Sequence, residues 1–416
     1  MRRRRHRRSG YEETLASANA LPFVSETAYV HRSGGTPKVL FEAENVRCRP
    51  MPVFPAPEPG FYDFGDTGYA FPAVTLTTLR DVLVRGRSNL LTARDAILGH
   101  DLLDLATDVP AEEFEGRLRL LEVEGLAQWA AGDPFNVDYL PEAAAFTDGA
   151  AWNYAHWMTE VLPRAAAFLG ANLHVGIPLI VDVDLHPNLM RSIELLAPPD
   201  TPIYRLGRDH LVRVGVLHNV SPTAYARYKP RGQTRSAIAH GVFSTRALSR
   251  MVDDVRAAAN VGAEPGDRPK LFLHRSSSLR QLVNQADVEQ ALVARGFTVV
   301  ETERLTFDEQ VALFSRARMV VGGTGAAIAN LLFCRPDCPV VTLVPRTSEV
   351  GYWYWRNIAA ATGAPVVSVT GELQRLADAP SNRLLGDGPY RIETADLLDA
   401  LAATERLCPP DASARG

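Results

Sequence analysis

Cysteine and lysine are the scarce residues of this chain. Four cysteines in 416 residues (Cys48, Cys334, Cys338 and Cys408) are too few to staple a fold of this size, so no disulfide framework is expected. Cys334 and Cys338 have near-zinc spacing, yet no second Cys or His pair follows, and they read as ordinary thiols. No apolar run approaches the ~18 residues of a membrane span. The opening MRRRRHRR leads into YEETLASANALPF rather than an apolar core, which is not the pattern of a secretory leader. These absences point to a reducing, cytoplasmic setting. GxSxG, HExxH, CxxC and the Walker lysine are also missing, which removes the commonest signatures of serine hydrolases, zinc proteases, thiol oxidoreductases and P-loop enzymes.

Lysine occurs only at Lys38, Lys229 and Lys270, against 41 arginines. With abundant alanine, that reads as a compositional bias, so each arginine must be argued from its position. The formal charge is −4, but six arginines crowd the first eight residues and leave the remainder at −10. An acidic body argues against a general nucleic-acid binder. The basic start is expected to be a disordered arm, with the anionic inner face of a membrane as its candidate contact. What is plentiful is apolar character, at 46% of residues, enough for two or three domains with full cores.

Residues 20–75 are rich in Pro, Gly and aromatics, which favours turns and short strands. Further on, VTLTTLRDVLVRG and NLLTARDAILG read as strands, IPLIVDVD as a buried strand and NLMRSIELLA as a helix. STRALSRMVDDVRAAANV reads as a helix too, after a polar join at YKPRGQTR. From Lys270 onward strand and helix alternate regularly through KLFLHR, ADVEQALVARG, FTVVET, TFDEQVALFSRA, RMVVGG, TGAAIANLLF and PVVTLV. Thr306 and Glu309 have the spacing of a capping box. Such alternation with short loops means βαβ units on a parallel sheet. The expected class is therefore α/β, with two domains facing a cleft. The boundaries expected are a tail at 1–20, a first domain at 21–235, a second at 236–380, and a C-terminal helix and tail at 381–416.

Four places carry candidate chemistry. At Gly322-Gly-Thr-Gly-Ala326 a buried strand ends in glycines and a helix begins, which leaves free N–H groups for an anion at the carboxyl edge of a sheet. Glycines that merely let strand and helix pack closely are the alternative. Ile328 stands where a dinucleotide fingerprint needs a small residue, so NAD is disfavoured. Upstream, Arg275, Arg280 and Asn284 follow another strand and would lie at the same edge, where guanidiniums suit a diphosphate. In the first half, Asn153, His156, Glu160 and Arg164 share one face of an otherwise apolar helix at ~100° per residue. Glu160 is then placed to orient His156, with a structural His–Glu pair as the alternative, and Pro163 makes Arg164 the least secure member. Finally, Asp182 and Asp184 are spaced like a metal-binding DxD clamp, although solvated aspartates at a strand end explain them as well. The aromatic run Tyr352 to Trp355 reads as core and rim, with stacking on a base or sugar as the alternative.

These residues resemble the signature of glycosyltransferase family 61. The C-terminal landmarks are Arg275, Arg280, Asn284, Gly296-Phe297, the stretch Glu303 to Gln310, Ala317, and Gly-Gly-Thr-Gly325-Ala326 with Asn330 and Phe333. The N-terminal landmark is Asn153, His156-Trp157, Glu160 and Leu162-Pro163-Arg164, in the same order as in the family. Thr324 departs from it, standing where many members place a histidine. The resemblance implies a GT-B arrangement of two Rossmann-like domains and an inverting transfer, with no cofactor and no essential metal. It implies a nucleotide-sugar donor, with UDP as the leading nucleotide, and an oligosaccharide or lipid-linked glycan acceptor in bacterial capsular or exopolysaccharide synthesis. On that reading His156 is the base, with Glu160 orienting it or replacing it. Arg275, Arg280, Thr324, Gly325 and Ala326 hold the diphosphate, while Asn284 and Asn330 fix the donor or its loop. Asn153 and Arg164 line the acceptor side, Arg164 reaching across the closed cleft. Two other readings compete: a non-catalytic sugar-nucleotide- or polysaccharide-binding assembly factor, and a metal-dependent GT-A enzyme using Asp182 and Asp184.

Overall fold

The computed structural model describes residues 20–57, 68–121, 125–130, 137–172, 176–232, 241–261, 268–277, 279–346, 353–374 and 388–407. The basic start, the join near 235, Tyr352 and Cys408 lie outside these. Among the described residues no helix is long and apolar enough to cross a membrane. Cys48, Cys334 and Cys338 are buried free thiols.

Two large sheets organise the chain. The first has eleven strands, and its functional half contains β1 (Val74–Arg85), β2 (Asp138–Ala145), β3 (Leu179–Asp182), β4 (Ile203–Leu206) and β5 (Leu211–Val220). Their order is β1-β5-β2-β3-β4, with β1 antiparallel to β5 and the other pairings parallel. Chain direction therefore turns outward from β2 through β3 and β4, then returns to place β5 on the other side of β2. The second sheet has seven strands, six of them in the order β7-β6-β8-β9-β10-β11. These are β6 (Lys270–Leu273), β7 (Phe297–Val300), β8 (Met319–Gly323), β9 (Val340–Pro345), β10 (Val366–Leu373) and β11 (Tyr390–Arg391). Its first five strands are parallel, as expected for βαβ units with near-continuous apolar runs. Val53–Phe54 adds to β10 in this second sheet, far from its neighbours in sequence.

Helices cover both faces of the second sheet, with Gln285–Val293 and Thr394–Leu407 on the face turned away from the shared core. Besides Glu26–Arg32 and Ala111–Phe114, the α-helices among the described residues are α1 (Tyr154–His156), α2 (Leu162–Gly170), α3 (Pro187–Leu196), α4 (Thr245–Ala258), α5 (Gln285–Val293), α6 (Phe307–Ser315), α7 (Trp353–Ala359) and α8 (Thr394–Leu407). The expected capping box of α6 is present, with Thr306 and Glu309 each accepting from the other's backbone N–H. The segment after β8 is not an α-helix but a 3-10 helix, Ala326–Phe333. One core runs through both halves, joining Phe146, Trp157 and Leu248 to Ile328, Leu332 and Phe333. The aromatic run is core as expected: Tyr354 packs edge-on against Phe243 and Trp355.

A buried polar chain crosses that core. Tyr154 Oη donates to Asn330 Oδ1 at 2.7 Å, and Asn330 Nδ2 donates to Gln310 Oε1 at 2.9 Å. Gln310 in turn donates to the carbonyls of Thr302 and Leu305. A buried group stripped of its partner costs about 1–3 kcal/mol, whereas an exposed ion pair is worth about 0–1. Asn330→Ala should therefore lower stability in urea by about 1–3 kcal/mol. Breaking the exposed Arg191–Asp308 pair, which also joins the halves at 2.9 Å, by Arg191→Ala should cost at most about 1 kcal/mol.

Candidate functional site

Parallel sheets bind ligands beyond the carboxyl ends of their strands, where neighbouring connections run in opposite directions. Each sheet here has one such point: between β2 and β5 in the first, and between β6 and β8 in the second. A pocket lies at each.

The first pocket, of about 810 Å³, is lined by Asp148 and Gly149 beyond β2, by Val220 and Pro222 at the end of β5, and by His156, Glu160 and Arg164. The segment carrying those three is not one α-helix. Trp157–Val161 forms a π turn between α1 and α2, and the Leu162 N–H bonds back to the Trp157 carbonyl. Pro163 is the cause, since it has no N–H for the carbonyl of Thr159 four residues earlier. Thr223 Oγ1 satisfies that carbonyl instead, at 3.0 Å. Trp157 is fully buried and donates to Ser192 at 2.8 Å, which anchors the turn to α3.

The expected polar stripe survives the π turn only in part. His156 Nδ1 and Glu160 Oε1 are 2.7 Å apart, with the imidazole 27% exposed and the carboxylate 13%. Burial pulls the His156 pKa down, but the charge and hydrogen bond of Glu160, with the charge of Asp148, raise it to about 9. Burial also pushes Glu160 upward against the pull of His156. The pair thus holds a proton between Nδ1 and Oε1 across neutral pH. Arg164 is not poised to reach across a cleft. Its guanidinium donates to the carbonyls of Val220 and Ala145 and to Asn219 Oδ1, at 2.9, 3.2 and 2.9 Å. It pins the ends of β2 and β5 to one another. Asn153 caps α1, accepting from Ala155 N at 3.0 Å, and lies outside this pocket.

The second pocket, of about 860 Å³, is lined by His274 and Arg275 beyond β6, by Gly323, Ala326 and Ala327 beyond β8, and by Thr302 and Glu303 beyond β7. Trp152 and Tyr154 close it from the first half. The 3-10 helix begins here, and the N–H groups of its first turn have no partner within the helix. A Cβ on Gly325 would sit 1.8 Å from Arg275 Nη1, so glycine is what lets that guanidinium lie against the turn. Burial lowers the Arg275 pKa from its usual value, and the nearby Arg280 charge lowers it further. Arg275 is held by the Leu279 carbonyl at 2.9 Å.

Three expected donor residues sit elsewhere. Asn284 is buried and exchanges hydrogen bonds with the backbone of Ile392, so it ties α5 to the end of β11. Asn330 is the centre of the buried bridge described above. The Thr324 hydroxyl points into the core and accepts from Trp355 Nε1 at 2.9 Å. The aspartate pair is not a clamp either. Asp182 is wholly buried, accepting backbone N–H groups from Arg87 at 2.5 Å and Asp148 at 3.0 Å, while Asp184 lies past the strand end at φ +58°. The GT-A reading loses its ligand pair for that reason.

Sequence reading missed Asp148, His100, Trp152, Tyr154 and His274, and took Glu303 only as a landmark without a site role. Asp148, His274 and Glu303 each follow a strand closely, and the edge rule applied to every strand end would have found them. His100 Nδ1 is buried without a hydrogen-bond partner among the described residues. Burial and the Arg164 charge pull this ring's pKa down to about 4.

Residues 154–341 match the family model described as Glycosyltransferase 61. That span holds His156, Glu160, Arg275, Glu303 and the glycine turn. No curated protein matches the chain. Among solved structures, it is similar to the dodecameric iron-containing heptosyltransferase TibC in complex with ADP-D-beta-D-heptose. Identity is 10%, with a TM-score of 0.28, over 81% of this chain and 94% of that one. A likeness so slight carries neither fold nor ligand.

The raised His156 pKa makes the folded state bind more protons than the unfolded one from about pH 6.5, its usual value, up to about 9. The contribution of His156 to stability is thus complete below that window and lost as pH rises through it. The thermal midpoint should fall between pH 6.5 and 9, and His156→Gln should flatten that fall.

Proposed function

We propose, from the match of residues 154–341 to the Glycosyltransferase 61 family model, that the chain moves a sugar from a nucleotide-diphosphate donor to a glycan acceptor with inversion. The donor occupies the second pocket and the acceptor hydroxyl the first. One observation carries this reading: Tyr154 lines the donor pocket while His156, two residues on, lines the other. At ~1.5 Å rise per residue the two lie only about 3 Å apart along the helix axis. In this GT-B-like arrangement a base in one pocket faces a leaving group in the other across a single helical segment.

His156 takes the proton of the acceptor hydroxyl, and the new bond forms from that oxygen to the anomeric carbon. The bond from the anomeric carbon to the diphosphate breaks, and the diphosphate leaves with its electron pair. Arg275 and the N–H groups at Ala326 and Ala327 stabilise that charge, in a preorganised site where such donors contribute most. Arg280 adds its field from beside Arg275. Glu160 orients the imidazole and neutralises it once protonated. Because His156 holds its proton to about pH 9 in the empty site, the competent ring is a minority species at neutral pH.

The chemistry needs no metal on this reading, and UDP-sugars are the first donors to test. A role in capsular or exopolysaccharide synthesis, at the cytoplasmic face of the membrane, fits a lipid-linked acceptor and the basic start. The competing reading, a binding factor without turnover, predicts donor binding and no product.

Three outcomes test the proposal in a sugar-nucleotide turnover assay. Arg275→Ala and His156→Ala should each lower kcat/KM by about a hundredfold or more, with donor affinity kept in the second. Gly325→Ala, whose extended backbone suits any residue, should fold normally yet weaken donor binding by displacing Arg275. The wild-type kcat/KM should climb with pH toward about 9, and Glu160→Gln should shift that climb to lower pH. An unchanged alkaline limb in Glu160→Gln and full turnover in His156→Ala would remove His156 from the mechanism. Activity abolished by excess chelator would remove the metal-free step.

A further inference from the structure

The donor pocket contains a group that a diphosphate site has no use for. Glu303 lines it alongside Arg275 and Gly323, and its side chain is exposed. Its charge is close enough to Arg275 to act on that guanidinium, so it stands near the phosphates that Arg275 is placed to hold. A carboxylate there repels an anion and must be offset by a favourable contact with another part of the ligand.

The turn carrying Glu303 is firmly built. Thr302–Arg304 is a single 3-10 turn leaving β7. The Thr302 carbonyl accepts from Leu305 N at 3.1 Å and from Gln310 Nε2 at 3.2 Å. The Leu305 carbonyl accepts from Asn188 Nδ2, across from the first half, at 2.9 Å. Glu303 itself makes no hydrogen bond or ion pair among the described residues. A fixed backbone thus presents a free carboxylate, which can only accept hydrogen bonds and has two oxygens to do so. The matching partner is a pair of neighbouring hydroxyls. Position agrees: β7 adjoins β6 at the switch point, and an acid after the second strand of such a sheet faces the ribose of a bound nucleotide.

We propose that Glu303 accepts hydrogen bonds from the vicinal hydroxyls of the donor's ribose, so that the pocket selects ribonucleoside over 2′-deoxyribonucleoside diphosphates. This rests on the donor reading of that pocket. The alternative role for Glu303 is to hold Arg275 in place, which would affect ribo and deoxy ligands alike.

Calorimetric titration of the full chain with UDP, ADP and GDP and their 2′-deoxy counterparts separates these roles. The wild type should prefer the ribo form of whichever base it binds by about tenfold or more, the range of a hydrogen bond to a charged group. Glu303→Ala and Glu303→Gln should weaken the ribo form more than the deoxy form, which keeps only its 3′-hydroxyl contact, so that the ribo preference shrinks. Their thermal midpoints should match the wild type, since the side chain is exposed. Equal weakening of both forms, a ribo preference that survives in Glu303→Ala, or no preference in the wild type would each overturn the assignment to Glu303 alone. A wild type that binds none of the three diphosphates would overturn the donor reading and this proposal with it.

Discussion

The phenol of Tyr154 donates to the side chain of Asn330, and through that bond the two halves of the molecule share one reference point. Tyr154 belongs to the short helix that ends in His156, while Asn330 belongs to the 3-10 helix that begins at the glycine turn. The same Asn330 is braced by Gln310, which in turn braces the loop after β7. A fully buried amide loses stability when its partners are taken away, so this chain of bonds favours the arrangement of the two halves seen here. Both pockets inherit their spacing from it.

The pockets are electrostatic opposites. In the first, His156 is surrounded by carboxylates, and its proton affinity rises because Glu160 and Asp148 outweigh the cost of burial. In the second, Arg275 is flanked by Arg280, and its proton affinity falls because burial and like charge act together. A ring with raised proton affinity and a half-buried guanidinium thus line pockets that meet along one helical segment. Arg164, expected to reach across the closed cleft, is spent on holding strand ends: three hydrogen bonds tie it to the ends of β2 and β5 beside the first pocket.

Much of the fold was legible because local rules agreed. From Lys270 to Val344 the apolar runs, glycine stops and the capping box at Thr306 all point to parallel βαβ units, and the parallel strands are present, with a 3-10 helix in place of the last expected α-helix. The first sheet was read less well, since its strands pair across long stretches of sequence and partly antiparallel. Of the candidate residues, His156, Glu160, Arg275 and the glycine turn lie where strand-edge and helix-face reasoning put them. Asn153, Asn284 and Asn330 had the right chemistry for ligand contact but are taken up by caps and bridges. An amide gives no sign in sequence of which neighbour will use it.

The sequence by itself determined the α/β class, the glycine turn at Gly323 to Ala326 where the strand ends, and the pairing of His156 with Glu160. Each depends on residues at most a few positions apart, where backbone geometry decides what can meet. Tertiary structure alone decided that Pro163 would produce a π turn, because Thr223 had to arrive to satisfy the carbonyl left open at Thr159. It alone decided that Asp182 would be sealed under two backbone N–H groups rather than offered to a metal. Glu303 reached the side of Arg275 the same way, since strand order and not chain order sets which loops share a pocket.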